Sequence, residues 1–191
     1  MTVGSLATSV HERHAVMTAI DPAVLGHAEV AVRAMGLEER MRLADEIFLQ
    51  QPNLLASVLV LPRMGVTMVQ LDPVITILLV AWMAMKTSGH QWPLISEEVQ
   101  ERCLQRLTGR IRFVEGLSSE MLGKATQQQI DEHREPYLLA FVFGHLGEHD
   151  LVSVRTEAEK YLLLAALNLV DCIAAGAQPK LNPRATPKRR R

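Results

Sequence analysis

The sequence predicts an all-α protein, a single-domain bundle of about seven or eight helices around a central apolar helix. Hydrophobic residues make up 48% of the 191 residues and aromatic residues only 4%, so aliphatic side chains and nine methionines must fill the core. That composition favours helices over a β-sandwich. Apolar residues also recur at helical spacing along most of the chain, without a sustained alternating pattern that would indicate a strand.

Two helices are expected at the start of the globular part. Asp21 and Pro22 provide an N-cap and a first helical position, and Gly36 ends this first helix. A second helix begins near Leu37 and ends before Pro52. Its predicted inward stripe is Met41, Ala44, Ile47 and Phe48.

The central helix follows a short one. Pro52 to Leu61 is predicted as a short apolar helix, and residues 63–71 as a loop or short helix. Asp72 and Pro73 then repeat the N-cap and proline signal, and the central helix is expected to end near Ser88, with Gly89 after it.

A linker around Trp92 leads to two more helices. Ser96 is predicted to cap an amphipathic helix that ends at Gly116, and Ser118 or Ser119 to cap a more polar helix. The inward set of the first of these is Val99, Cys103, Leu107, Ile111 and Val114.

Two apolar segments close the bundle. Pro136 begins one that Gly144 and Gly147 interrupt. Thr156, with a glutamate three positions later, has the spacing of a capping box and begins a long helix that runs through Ala175.

The ends of the chain differ from its middle. Residues 1–20 are predicted to be a flexible N-terminal arm, residues 21–178 the all-helical globular domain, and residues 179–191 a disordered basic tail. Residues 1–179 carry 14 basic and 21 acidic side chains, whereas residues 180–191 carry six basic and no acidic ones. The cations of this tail are Lys180, Arg184, Lys188, Arg189, Arg190 and Arg191.

Three features of the sequence bear on cellular location: its first twenty residues, its longest apolar run and its two cysteines. The first twenty residues lack the basic start and apolar core of a secretory signal. The longest apolar run, residues 73–85, is about 20 Å long as a helix, against about 30 Å of hydrocarbon, so no membrane span is expected. Cys103 and Cys172 lack metal-ligand spacing and are interpreted as buried thiols of a cytoplasmic protein.

Self-association is expected because three segments are apolar nearly all round. These are residues 75–85, 137–143 and 161–170. A bundle of this size buries one such helix completely, whereas three require more cover than its amphipathic helices provide. We expect a homodimer with the second or third segment at its interface. The alternative is a monomer whose helices cover one another.

Three sequence patterns are candidates for a functional site. His145, Glu148 and His149 match the HxxEH pattern of inverted zinc proteases, but Gly147 between them is expected to end the helix and make the imidazoles diverge. A third ligand would come from Glu157, Glu159 or Asp171. Residues 61–67 resemble the turn of a helix-turn-helix, yet the outer positions after Gly65 offer one amide and no cation. The methionines 64, 68, 83 and 85 could line a pocket, although filling of the core explains them better.

The interpretation favoured by these patterns is a non-enzymatic interaction protein, an assembly or regulatory subunit that acts through an apolar helix interface and a basic tail. No catalytic set, cofactor or metal site is predicted. One alternative is a nucleic-acid-associated regulator, since six tail cations would bind an acidic protein or phosphates weakly and without sequence preference. The other alternative is a small zinc-dependent hydrolase that uses residues 145–149.

Overall fold

The computed structural model describes residues 18–114 and 119–179, and in these two ranges the chain forms eight α-helices and no β-strand. The predicted all-α, single-domain bundle is confirmed. The helices are α1 (Pro22–Ala34), α2 (Leu37–Gln50), α3 (Pro52–Leu59), α4 (Met68–Thr87), α5 (Glu97–Val114), α6 (Ser119–Glu132), α7 (Pro136–Glu148) and α8 (Glu157–Gly176). Gly116, Ser118 and the side chains of Ile111 and Val114 lie outside the description.

Helices α4 and α8 form the centre of the bundle. Twelve of the twenty residues of α4 and ten of the twenty residues of α8 are buried. Helix α4 packs against α1, α2, α3, α7 and α8, while α5 packs along the other side of α8. The chain itself therefore covers most of two of the three apolar segments, residues 75–85 and 161–170, whereas only one was expected to be completely covered.

The predicted start of the central helix at Asp72 is wrong, because α4 begins one turn earlier. Thr67 is the N-cap: its hydroxyl accepts from the backbone N–H of Gln70 at 3.3 Å, and the Gln70 side chain accepts from the N–H of Thr67 at 3.1 Å. Pro73 lies inside the helix and cannot satisfy the carbonyl of Val69. Val69 is 84% exposed, so water can donate to that carbonyl instead.

The earlier start also changes the length argument about membranes. A helix of twenty residues is about 30 Å long. Within the described ranges, α4 is the one helix long and apolar enough to cross a membrane by length and composition, and 67% of its most apolar window is buried inside the bundle. Helix α4 is therefore not too short to cross a membrane, as its apolar run suggested, but neighbouring helices bury most of its apolar surface.

The predicted inward stripe of α2 is wrong in two of its four positions. Leu43 and Ile47 are the buried residues of α2, whereas Met41 and Phe48 point outward and are 58% and 62% exposed. The helix carries two apolar stripes roughly 100° apart. Periodicity alone does not tell which of them faces α3 and α4.

Helix α7 continues through Gly144 and Gly147, so the predicted break at these glycines is wrong. The left-handed residue after the helix is Asp150, with φ 54°. Its N–H donates to the carbonyl of Gly147 at 3.1 Å, and the N–H of Leu151 donates to the carbonyl of Leu146 at 2.9 Å. These two bonds form a Schellman motif, which glycine favours but aspartate also tolerates.

Buried polar side chains attach the non-helical segments to the bundle. Gln51 is 1% exposed; its amide donates to the carbonyls of Trp92 and Pro93, and its oxygen accepts from the N–H of Ile95. Buried Glu135 accepts from residues 18–20, which belonged to the expected arm and pack against the bundle in the structure. Residues 1–17 and 180–191 lie outside the described ranges.

Candidate functional site

Among the side chains that the structure describes, α2 carries more large apolar ones exposed by over half than any other helix: Leu37, Met41, Phe48 and Leu49. Four of its residues, spaced four, three and four apart, fall within about 60° of arc on the helix. We call them the α2 apolar stripe: Leu37, Met41, Ala44 and Phe48. Leu37 is 76% exposed, and Leu49, which lies about 100° further round the helix than Phe48, is 79% exposed. Large apolar side chains in such a row are unusual on a surface that contacts only water.

His145 and Glu148 lie on α7 and His149 is the C-cap of that helix, and the two imidazoles stay side by side, so their expected divergence is wrong. The ring centroids of His145 and His149 are 4.9 Å apart, and Glu148 Oε2 lies 3.8 Å from His145 Nδ1. His145 also stacks on Phe141, with ring centroids 5.7 Å apart. Its Nε2 atom is buried without a hydrogen-bond partner.

A metal would need a third ligand, and the carboxylates suggested for that role are engaged elsewhere. Asp171 pairs with Arg110 and His133, Glu159 with Arg155, and Glu157 with Lys160 at 3.8 Å. Throughout residues 18–114 and 119–179, no group of three His, Cys, Asp or Glu side chains is arranged to hold a metal ion. Burial lowers the pKa of His145 from its ordinary value, and the neighbouring His149 lowers it further.

The turn at Gly65 has the left-handed backbone expected of a tight turn, with φ 89°. The helix after it is α4, which lies in the centre of the bundle. The exposed positions of α4 lie at its two ends. The first turns carry Met68, Val69 and Asp72, with no cation among them, and the last turn carries Thr87 and Lys86, which pairs with Glu46. The middle of the helix has no exposed polar face that would enter a DNA groove.

The four methionines do not share a pocket. Met64 and Met68 are exposed at one end of α4, whereas Met85 is 2% exposed near the other end. Positions 68 and 83 are about 22 Å apart along the helix. The six tail cations, Lys180 to Arg191, lie outside the described residues.

A polar cleft between α5, α6 and α8 carries side chains that the motif search missed. Its volume is about 900 Å³, and its lining includes Arg106, Arg110, Gln128, His133, Arg134 and Asp171. Leu107 and Leu167, both buried, form part of its apolar floor. We call this concavity the α5–α6–α8 cleft. The recurrence of arginine at positions 102, 106 and 110 was the available sequence signal, because residues four apart share one side of a helix.

One side of this cleft is held by a fixed network. Asp171 accepts from Arg110 through one carboxylate oxygen and from His133 Nε2, at 2.9 Å, through the other. The N–H of Glu135 donates to His133 Nδ1 at 3.0 Å, which places the imidazole proton on Nε2. Three segments, at the ends of α5, α6 and α8, are therefore tied together behind the cleft.

Comparison with known proteins adds no relative. No protein-family model, no curated protein and no solved structure matches this chain.

Proposed function

We propose that this chain is a non-enzymatic helical interaction protein and that the α2 apolar stripe is its contact surface. The observation that carries the proposal is the exposure of Leu37, Met41 and Phe48 on one side of a single helix, each more than half exposed. Fully burying a side chain of this size contributes about 1.5–3 kcal/mol. A partner that covered the row would gain this energy, which the isolated chain does not.

The partner that fits this surface is a second copy of the chain. The spacing of four, three and four is that of a coiled-coil seam. It is also symmetric about its centre, so two antiparallel stripes would place Leu37 opposite Phe48 and Met41 opposite Ala44. A twofold interface requires this kind of self-complementarity. The stripe is about 16 Å long, which is about three turns of contact on each helix.

The test is the oligomeric state of a variant with a polar stripe. We expect the wild-type chain, 21.3 kDa as a monomer, to have twice that mass by light scattering at micromolar concentration. Substituting Met41→Gln and Phe48→Gln should give a monomer with unchanged helicity, because both side chains are exposed and glutamine suits a helix.

A matched control separates the stripe from general surface hydrophobicity. Leu94 and Val154 are also exposed, at 59% and 48%, but lie in loops. The variant Leu94→Gln with Val154→Gln should remain a dimer. A wild-type chain of monomer mass, or a dimer that survives the α2 substitutions, would overturn the proposal.

A second contact is proposed for the basic tail, on sequence alone. Six cations without an acid in residues 180–191 favour an acidic partner, including nucleic acid. We expect a chain truncated after Pro179 to lose duplex DNA binding in low salt, measured by fluorescence anisotropy. Equal binding by the truncated and full chains, or none by either, would contradict this role.

A further inference from the structure

We propose that the α5–α6–α8 cleft is a binding site for a small amphipathic anion, with a carboxylate or phosphate head held by Arg106 and Arg134 and an apolar body on the floor of the cleft. This site is separate from the α2 apolar stripe, and neither proposal depends on the other.

The first observation is that two arginines of the cleft have no carboxylate partner. Arg110 is neutralised by Asp171, but neither Arg106 nor Arg134 forms an ion pair anywhere in the described chain. Arg106 Nη2 donates at 3.1 Å to Cys103 Sγ, a weak acceptor. A guanidinium has five N–H donors, so most of those on Arg106 remain available to a ligand.

The second observation is the charge around the cleft. Three arginines line it against two carboxylates, those of Glu132 and Asp171, and Arg102 extends the row in a shallower depression formed with Gln105 and Arg106. Residues 1–179 together carry seven more acidic than basic side chains. The cleft is thus a positive region on an acidic body, and such concavities concentrate anions.

The third observation is the chemistry of the lining. Guanidinium groups bind carboxylate and phosphate in a bidentate geometry. The rest of the lining is a floor of leucine and alanine, with the amides of Gln128 and Gln129 at one side. The volume of this open cleft, about 900 Å³, is within the range of small-molecule sites, which are largely apolar with a few polar groups. Together these features fit an acid head joined to an apolar body.

The site can be tested with a matched pair of fluorescent probes. Anilinonaphthalene sulfonate has an anionic head, and phenylnaphthylamine has the same aromatic body without it. We expect Arg106→Gln with Arg134→Gln to weaken sulfonate binding by at least about tenfold, because the variant loses the charge-assisted hydrogen bonds of two guanidinium groups and losing one such bond is enough for a change of this size. Binding of phenylnaphthylamine should not change.

Variants elsewhere on the surface control for net charge and for the other apolar surface. Arg42 and Arg63 are exposed, lie outside the cleft and form no ion pair within the described ranges, so Arg42→Gln with Arg63→Gln removes the same charge. This variant should bind the sulfonate as the wild type does. If the probes bound on the α2 apolar stripe instead, neither pair of substitutions would weaken binding of the sulfonate while leaving binding of phenylnaphthylamine unchanged.

Competition then identifies the head group. Dodecanoate and dodecyl phosphate should displace the sulfonate from the wild-type chain at concentrations at least about tenfold lower than dodecanol requires. The acid that competes at the lower concentration shows which head group the site prefers. The proposal is overturned if the cleft variant binds the sulfonate as tightly as the wild type, if both charge variants lose binding equally, or if dodecanol competes as well as the acids. All variants should show the far-UV circular dichroism of the wild type, because the four arginines are exposed.

Discussion

Most polar side chains buried in this bundle are hydrogen-bonded to the backbone of a neighbouring segment. Gln51 holds the linker before α5, Glu135 holds residues 18–20, and Glu159 closes the N-terminus of α8 through the N–H groups of Arg155 and Thr156. His145 differs, because its buried Nε2 has no such partner. Protonation of a buried imidazole without a hydrogen-bond partner is unfavourable, because the positive charge is removed from water and nothing replaces its hydration.

The pKa of His145 therefore predicts a pH dependence of stability. Burial and His149 lower that pKa below 6.5, and Glu148 only partly offsets the shift. The unfolded chain then binds the proton more readily than the folded one. The stabilising contribution is complete above about pH 6.5 and is lost as the pH falls through that value towards the lower folded-state pKa.

The measurement is urea unfolding over a series of pH values from about 7.5 to 5. We expect the free energy of unfolding of the wild type to fall over this interval, and His145→Phe, which conserves an aromatic ring next to Phe141, to reduce the fall. His27 is exposed on α1, so His27→Gln should keep the wild-type dependence. An unchanged slope in His145→Phe would show that another group causes the fall.

At the scale of helices, starts are easier to predict than ends and faces. Asp21 and Thr156 begin α1 and α8 as predicted, because their side chains accept from backbone N–H groups two or three positions later. The start at Thr67 was missed because Asp72 and Pro73 carry a stronger local signal inside the helix. The end of α7 was missed because Asp150, rather than Gly147, takes the left-handed conformation.

The α2 apolar stripe and the α5–α6–α8 cleft were also only partly predictable from the sequence, but for a different reason. The predicted core face of α2 contained three residues of the α2 apolar stripe, Met41, Ala44 and Phe48. Their spacing is the same whether the stripe is buried or exposed, and only the positions of α3 and α4 decide between the two. The α5–α6–α8 cleft depends on residues from three helices, with Arg106, Arg134 and Asp171 far apart in sequence. No local pattern brings such residues together, so only the packing of the bundle shows them as one site.

The junction between the N-terminal segment and α7 makes a sharp prediction at this scale. The carboxylate of Glu135, 2% exposed, accepts from Thr18 Oγ1 at 2.6 Å and from the N–H groups of Ala19 and Ile20 at 2.8 and 3.1 Å. Glu135→Ala leaves two buried N–H groups without an acceptor, so we expect it to lower the free energy of unfolding by about 3 kcal/mol.

Glu135→Gln retains an acceptor oxygen and should lower the free energy of unfolding less than Glu135→Ala does. Asp131 is exposed on α6, and Asp131→Ala should change it by no more than about 0.5 kcal/mol. Urea denaturation would measure the free energy of unfolding of all three variants, and equal m-values would allow the values to be compared directly. A Glu135→Ala chain as stable as Asp131→Ala would mean that residues 18–20 contribute little to the folded state.

At the scale of the whole molecule, the two thiols report on the integrity of the core. Cys103 on α5 and Cys172 on α8 are 0% and 1% exposed, and the contact between these helices forms one side of the bundle. Burial raises the pKa of Cys172, and the neighbouring Cys103 raises it further. The Cys172 thiol therefore remains protonated, and both thiols are inaccessible while the helices stay packed.

We expect a thiol reagent to label the native chain slowly and at a rate that rises with urea, because labelling requires the core to open. The dependence on urea should approach that of global unfolding. A Ser153→Cys variant, with its new thiol in an exposed loop, should react at once and calibrate the reagent. If the wild type labels as fast as this variant, the α5–α8 contact opens in the native state.

The bonds between Glu135 and residues 18–20 join positions 115 to 117 residues apart. On a ribosome that adds roughly 5–20 residues per second, the N-terminal segment emerges on the order of ten seconds before its carboxylate partner is made. The Ile20 side chain, which is buried in the folded chain, remains exposed to water during that interval. Residues 18–20 therefore cannot make these native hydrogen bonds until residue 135 has been synthesised.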